Sequence, residues 1–121
     1  MHTVGVDIIE IERVEQALRR FGDRFLNRVF TEREIRFCRG RVSELAARFA
    51  AKEAVMKALG TGVRGIGWRE IEVLPMQGGK PLVFLHGKAL KRAEVLGLSD
   101  FAISLTHSRD FAIASVVSGA G

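Results

Sequence analysis

At 121 residues and 47% apolar composition, the chain is expected to form a single domain (1–121) with its own core, and its two prolines and lack of any low-complexity run leave no linker. Its longest apolar runs fall far short of a membrane span, Asp7, Glu10 and Glu12 break up the region a signal peptide would need, and Cys38 alone cannot form an internal disulfide; a cytoplasmic protein with no membrane contact is expected. The net charge of +5 is concentrated: residues 13–41 hold nine arginines against four acids, a patch that calls for an acidic partner.

Along the chain, residues 3–9 alternate, with Val4, Val6 and Ile8 on one face and Thr3, Gly5 and Asp7 on the other, which predicts a strand carrying an acid. Ile11, Val14, Leu18 and Phe21 recur at helical spacing and predict an amphipathic helix ending near Gly22. Thr31 and Glu34 form a capping-box pattern that opens a short helix to about Cys38. Ser43 is placed to cap the next helix, which runs through good helix formers to Gly60. Residues 68–74 alternate again, 77–81 read as a turn and 82–85 as the returning strand. A helix over 88–96 stops at Gly97, and strands over 101–106 and 111–117 flank a hairpin turn. Strands joined by tight turns make an antiparallel sheet, so the expected class is α+β with helices packed on one side.

Three places carry chemistry. Asp7 lies in an apolar strand, where a carboxylate needs a partner, a hydrogen bond or a metal ion. Glu53 and Lys57 are one turn apart on the long helix and share a face, placing a group that can hold a divalent cation beside one that can hold a phosphate. By itself such a pair is ordinary surface decoration. Gly60-Thr61-Gly62 starts a literal G-x-G-x-x-G, but it follows a helix instead of a strand, so it is no dinucleotide fingerprint; as a glycine-rich turn its amides could approach a phosphate. Thr106, His107 and Ser108 sit at the last hairpin, too crowded with Asp110 for a hydrolase triad but able to donate to phosphate oxygens.

Taken together, GVDIIEIER at 5–13, RFAAKEAVMKALGTG at 48–62 and SLTHS at 104–108, with Gly79-Lys80-Pro81 between them, resemble the 4′-phosphopantetheinyl transferases of the small, single-domain holo-acyl-carrier-protein synthase branch. The resemblance spans nearly the whole chain and keeps the family's motif order. It implies transfer of phosphopantetheine from coenzyme A to a serine of an acyl carrier protein, with release of adenosine 3′,5′-bisphosphate. It further implies Mg²⁺ held by Asp7 and Glu53, Lys57 beside the pyrophosphate, and Gly60, Thr61 and Gly62 beside the nucleotide. Thr106, His107 and Ser108 would form the second wall of the coenzyme site, and Arg48 and Lys52 would assist at the 3′-phosphate. Arg13, Arg20 and Arg24 would receive the acidic carrier protein, Arg13 and Arg20 falling within about 20° of each other around the helix. The small members of the family act as homotrimers with sites between subunits. The competing reading is a basic nucleic-acid-binding module without catalysis, against which stand the absence of tyrosine, of clustered aromatics and of any recognisable binding signature; no nucleic-acid partner is expected.

Overall fold

Chain order in the computed structural model, which describes residues 2–60 and 65–120, is β1 (His2–Glu10), α1 (Ile11–Phe21), α2 (Asp23–Val29), α3 (Glu32–Cys38), α4 (Val42–Leu59), β2 (Ile71–Pro75), β3 (Pro81–Leu85), α5 (Gly87–Leu96), β4 (Asp100–His107) and β5 (Phe111–Gly119). All strand pairing is antiparallel, in two sheets: β1-β5-β4 and the hairpin β2-β3. The class is the expected α+β.

Helix α4 is apolar on nearly every side, the pattern of a helix enclosed by its own protein. Its alanines 46, 47, 50, 51, 54 and 58 are all buried, together with Leu45, Val55, Met56 and Leu59. Small side chains let the sheet come close, and Gly5 on β1 takes this to its limit: a Cβ there would lie 1.8 Å from the Ala54 carbonyl oxygen. The Thr3 hydroxyl, two residues away on the same face, donates to the Ala58 carbonyl at 2.9 Å. The side of β1 that carries Thr3, Gly5 and Asp7 therefore turns toward α4, while Val4, Val6 and Ile8 point outward and are 63%, 55% and 58% exposed. Phe111, Ile113 and Val117 of β5 extend this exposed apolar face. The helix covers one side of the sheet, as expected, and among the described residues no helix is long and apolar enough to cross a membrane.

Several elements differ from their sequence reading. The alternation over 68–74 conceals a 3₁₀ turn at Trp68–Glu70, with the strand starting only at Ile71. Helix α2 follows directly on Gly22, where the helix was expected to stop; that glycine's positive φ of 55° redirects the chain into a second short helix. Helix α4 begins two residues before its predicted N-terminus, with Arg41 and not Ser43 at the cap position and no side-chain cap there. At its far end Gly60 adopts the left-handed conformation as expected, and Arg92 of α5 donates to the Leu59 carbonyl at 3.0 Å. The capping box of Thr31 and Glu34 is present in full. Cys38 is a buried free thiol, pushed up to about 11 by burial, which makes it a packing residue.

Replacing Gly5 by alanine drives a methyl into the α4 backbone, which cannot yield as a flexible side chain would. Gly5→Ala is expected to cost about 3 kcal/mol or more, the upper end of overpacking penalties, read as a fall in melting temperature or as insoluble protein.

Candidate active site

Asp7, Glu53 and Lys57 meet because β1 and α4 are pressed together. Lys57 Nζ donates to Asp7 Oδ1 at 2.9 Å and to the Val6 carbonyl at 3.0 Å. The lysine thus takes its ion partner from β1, not from Glu53 on its own helix face. Its side chain is 55% exposed while the aspartate is only 12% exposed, so the ammonium lies over a carboxylate set back into the protein.

Glu53 is half-buried beside them. Burial pushes its carboxyl above the ordinary value of 4.5, and the negative charge of Asp7 and a hydrogen bond with it push the same way; Lys57 and Arg13 act in the opposite sense. Two carboxylates crowded into one place in this manner repel each other when both are ionised. Among the described residues no group of three or more His, Cys, Asp and Glu gathers as a metal site.

Asp7 and Glu53 line one cavity of about 450 Å³ with Arg13, Val14, Ala17, Phe25, Phe49 and Trp68. Its polar end is the carboxylate pair with Arg13; its apolar walls are α1, α2 and the stack of Phe49 on Trp68, 4.9 Å between ring centroids. Ala17 and Phe25 also line a second cavity of about 290 Å³ with Phe21, Arg24 and Arg28, so the two run together as one groove along α1 and α2. Arg13 and Arg24 belong to this groove. Arg20 lies apart from it, over the ring of Phe21 and beside Arg19 and Gln16. Arg28, Phe25, Phe49 and Trp68 were not singled out from the sequence; their helical spacing looks like ordinary core and surface, and only the tertiary arrangement gathers them.

The remaining candidates are placed differently. Gly60 is the exposed cap of α4; Thr61 and Gly62 lie outside the described residues. Thr106, His107 and Ser108 are all exposed at the end of β4, on the far edge of the sheet. His107 is level with Ala112 and Ile9, two strand steps of about 4.8 Å from β1, and does not line the cavity of Asp7 and Glu53. Thr106 alternates to the opposite face, level with Ile113 and Ile8. The Ser108 hydroxyl accepts from the amide of Phe111 at 3.2 Å and so closes the hairpin turn. Arg48 and Lys52, read as aids to a 3′-phosphate, point into the protein. Arg48 is 3% exposed, donating to the Val73 carbonyl and to Glu44, and Lys52 is fully buried against Glu34. The helix turns both away from the face that carries Glu53 and Lys57.

The family model of the 4′-phosphopantetheinyl transferase superfamily matches residues 3–115. The chain belongs to that superfamily. Among curated proteins it is 53% identical to a holo-acyl-carrier-protein synthase of Herpetosiphon aurantiacus, over 97% of this chain and 98% of the relative. A namesake from Gloeobacter violaceus is 46% identical over 96% of this chain and 91% of the relative. Among solved structures, the holo-acyl-carrier-protein synthase of Neisseria meningitidis superposes with a TM-score of 0.88 at 37% identity, covering 97% of each chain. That of Helicobacter pylori, in complex with coenzyme A, superposes at 0.87 with 32% identity, covering 96% of this chain and 99% of its own. Within the superfamily the chain falls in the holo-acyl-carrier-protein synthase branch and is a phosphopantetheinyl transferase.

The raised Glu53 carboxyl has a thermodynamic consequence. Folding favours its protonated form, so its contribution to stability is present below the unfolded value of 4.5 and is lost as pH rises through the higher folded value. Glu53→Gln, which mimics the protonated group, should match the wild type in melting temperature at low pH and exceed it increasingly above about pH 4.5. Melting curves in chelator across that range check this; a variant less stable at neutral pH would contradict it.

Proposed function

We propose that this chain transfers the 4′-phosphopantetheine group of coenzyme A to a serine of apo-acyl carrier protein and releases adenosine 3′,5′-bisphosphate. The observation that carries this reading is the meeting of two carboxylates and an ammonium at one end of an open groove, in a chain of this branch. The coenzyme A held by the Helicobacter pylori homologue supports the choice of donor.

In this reading the serine oxygen bonds to the phosphorus bearing the pantetheine arm, its proton passes to Glu53 or a water, and the bond to adenosine 3′,5′-bisphosphate breaks with its electron pair leaving on that phosphate. The demand on the protein is to position two partners and neutralise phosphate charge. Asp7 and Glu53 fit Mg²⁺: they are hard oxygen donors that repel each other until a cation lies between them, and two carboxylates leave room for phosphate oxygens and water. Bound there, Mg²⁺ would neutralise charge on the pyrophosphate. Lys57, exposed and held by Asp7 and the Val6 carbonyl, would meet a phosphate oxygen from the solvent side in this reading. Arg13 lines the carboxylate end and Arg24 and Arg28 line the adjoining cavity, and guanidinium groups along this surface suit an acidic carrier protein.

The working unit in this reading is a homotrimer. Val4, Val6, Ile8, Phe111, Ile113 and Val117 form an apolar sheet face that a lone chain leaves in water. His107 lies outside the Asp7–Glu53 cavity of its own chain. A ring of three copies would cover the first and supply the second from a neighbour, and cyclic symmetry closes without a leftover surface.

Incubating apo carrier protein with the chain, coenzyme A and Mg²⁺ should give the phosphopantetheine mass increment on the intact carrier. Asp7→Ala should lower turnover by about 10²-fold or more, Lys57→Ala should lower kcat more than it weakens coenzyme binding, and Arg13→Glu should raise KM for carrier protein alone. No mass increment with any carrier protein would refute the reading. Mixing inactive Glu53→Ala chains with inactive His107→Ala chains should restore part of the activity, because some sites in mixed rings draw both intact residues. A fully active species sedimenting as a monomer would rule out the trimer.

A further inference from the structure

Lys52 is a buried ammonium with no part in the chemistry above. Its Nζ donates to Glu34 Oε1 at 2.7 Å, to the Trp68 carbonyl at 3.0 Å and to the Ile71 carbonyl. An ammonium has three N–H donors, so these three acceptors satisfy it completely. Glu34 is equally enclosed: Oε1 also accepts from the Thr31 amide at 2.9 Å, and Oε2 accepts from the Val73 amide at 2.8 Å. The pair ties together α3, α4, the 3₁₀ turn and β2.

Stability alone is a weak reason to keep such a pair, because apolar residues of similar volume often serve as well or better. The geometry gives a stronger one. The two carbonyls held by Lys52 stand at the start of the 3₁₀ turn and immediately after its end. The side chain of Trp68, at the start of that turn, stacks on Phe49 and lines the cavity of Asp7 and Glu53. Phe49 and Glu53 are one helical turn apart, whereas Lys52 lies about 100° round the helix from Glu53. One helix thus presents Glu53 to the cavity, and the neighbouring residue reaches the other way to hold the segment that supplies the cavity's aromatic wall.

We propose that Lys52, paired with Glu34, is a positioning residue for the transfer reaction: it fixes the Trp68 turn against Phe49 so that the aromatic wall keeps its place beside Glu53. This rests on the transfer function proposed above. Lys52 acts through Trp68 and touches no reacting atom.

Trp68 is the chain's single tryptophan, so its fluorescence reads the wall directly. Lys52→Met alone strands the Glu34 carboxylate without a counter-charge and is prone to unfold. The double variant Glu34→Gln/Lys52→Met removes both charges and keeps a side chain at position 34 that can complete the capping box. It should melt cooperatively, show Trp68 more open to acrylamide quenching, and lose about 10- to 100-fold in kcat with a much smaller change in KM for coenzyme A, the penalty of a slightly misplaced site. Lys52→Arg should restore part of both the quenching protection and the kcat. Wild-type turnover in the double variant would overturn the proposal, and so would loss of turnover with Trp68 quenching unchanged or with cooperative melting abolished. If the wild-type chain itself transfers nothing, the transfer reading fails and the positioning role for that reaction fails with it, whereas an active wild type with the kcat loss and the Trp68 exposure confined to the double variant supports the positioning role.

Discussion

The contact between Gly5 of β1 and the backbone of α4 at Ala54 sets the geometry of everything else. With only a hydrogen on Gly5, strand and helix approach within backbone distance, and a methyl would collide with the Ala54 carbonyl. Glu53 precedes Ala54 and Lys57 precedes Ala58, whose carbonyl receives the Thr3 hydroxyl. Asp7 stands two residues beyond Gly5 on the same face of the strand. The close approach therefore brings two acids and an ammonium together from residues about fifty positions apart in the chain. A side chain at position 5 would widen the gap and separate them.

Once brought together, these groups do not relax into a set of simple ion pairs. Lys57 satisfies Asp7 and the Val6 carbonyl, while Glu53 is left in partial burial next to a second negative charge. The packing around them holds this electrostatic conflict in place. The opposite side of α4 shows the contrast. There Lys52 and Glu34 are wholly buried, and each is matched by a full set of hydrogen-bond partners. One helix thus carries an unresolved electrostatic site on its outer side and a fully resolved one on its inner side, and among the described residues no buried side-chain nitrogen or oxygen lacks a partner.

The direction of the sheet follows from the same contact. Because α4 needs the glycine side of β1, the valines and isoleucine on the other side face water, joined by the apolar residues of β5. The face that would bury most readily has been given up to admit the helix. That choice leaves an exposed apolar face, and the strand order separately places His107 on the opposite edge of the sheet from Asp7.

The sequence by itself determined most of the local structure and singled out the candidate groups Asp7, Glu53 and Lys57. Alternation over 3–9, the capping box at Thr31 and Glu34, the left-handed glycine after α4 and the final hairpin are local effects of side-chain period and backbone preference, and they are present in the fold. Asp7 stood out because a carboxylate in an apolar strand is unusual, whereas Glu53 and Lys57, an ordinary pair by themselves, were singled out by the resemblance of their segment and two others to a family pattern. Position in space was another matter. Periodicity could not separate the 3₁₀ turn at Trp68 from a strand, because an alternating pattern persists through both, nor reveal that α2 resumes beyond Gly22. It could not tell that Arg48 and Lys52 turn inward while Glu53 and Lys57 turn outward, since all four lie on one helix whose small apolar residues are spread around every side. Which side of a helix meets the core is decided by the elements that pack on it: Gly5 on a distant strand admits the α4 backbone on one side, and α3 and β2 receive Arg48 and Lys52 on the other, contacts that no period within the helix announces.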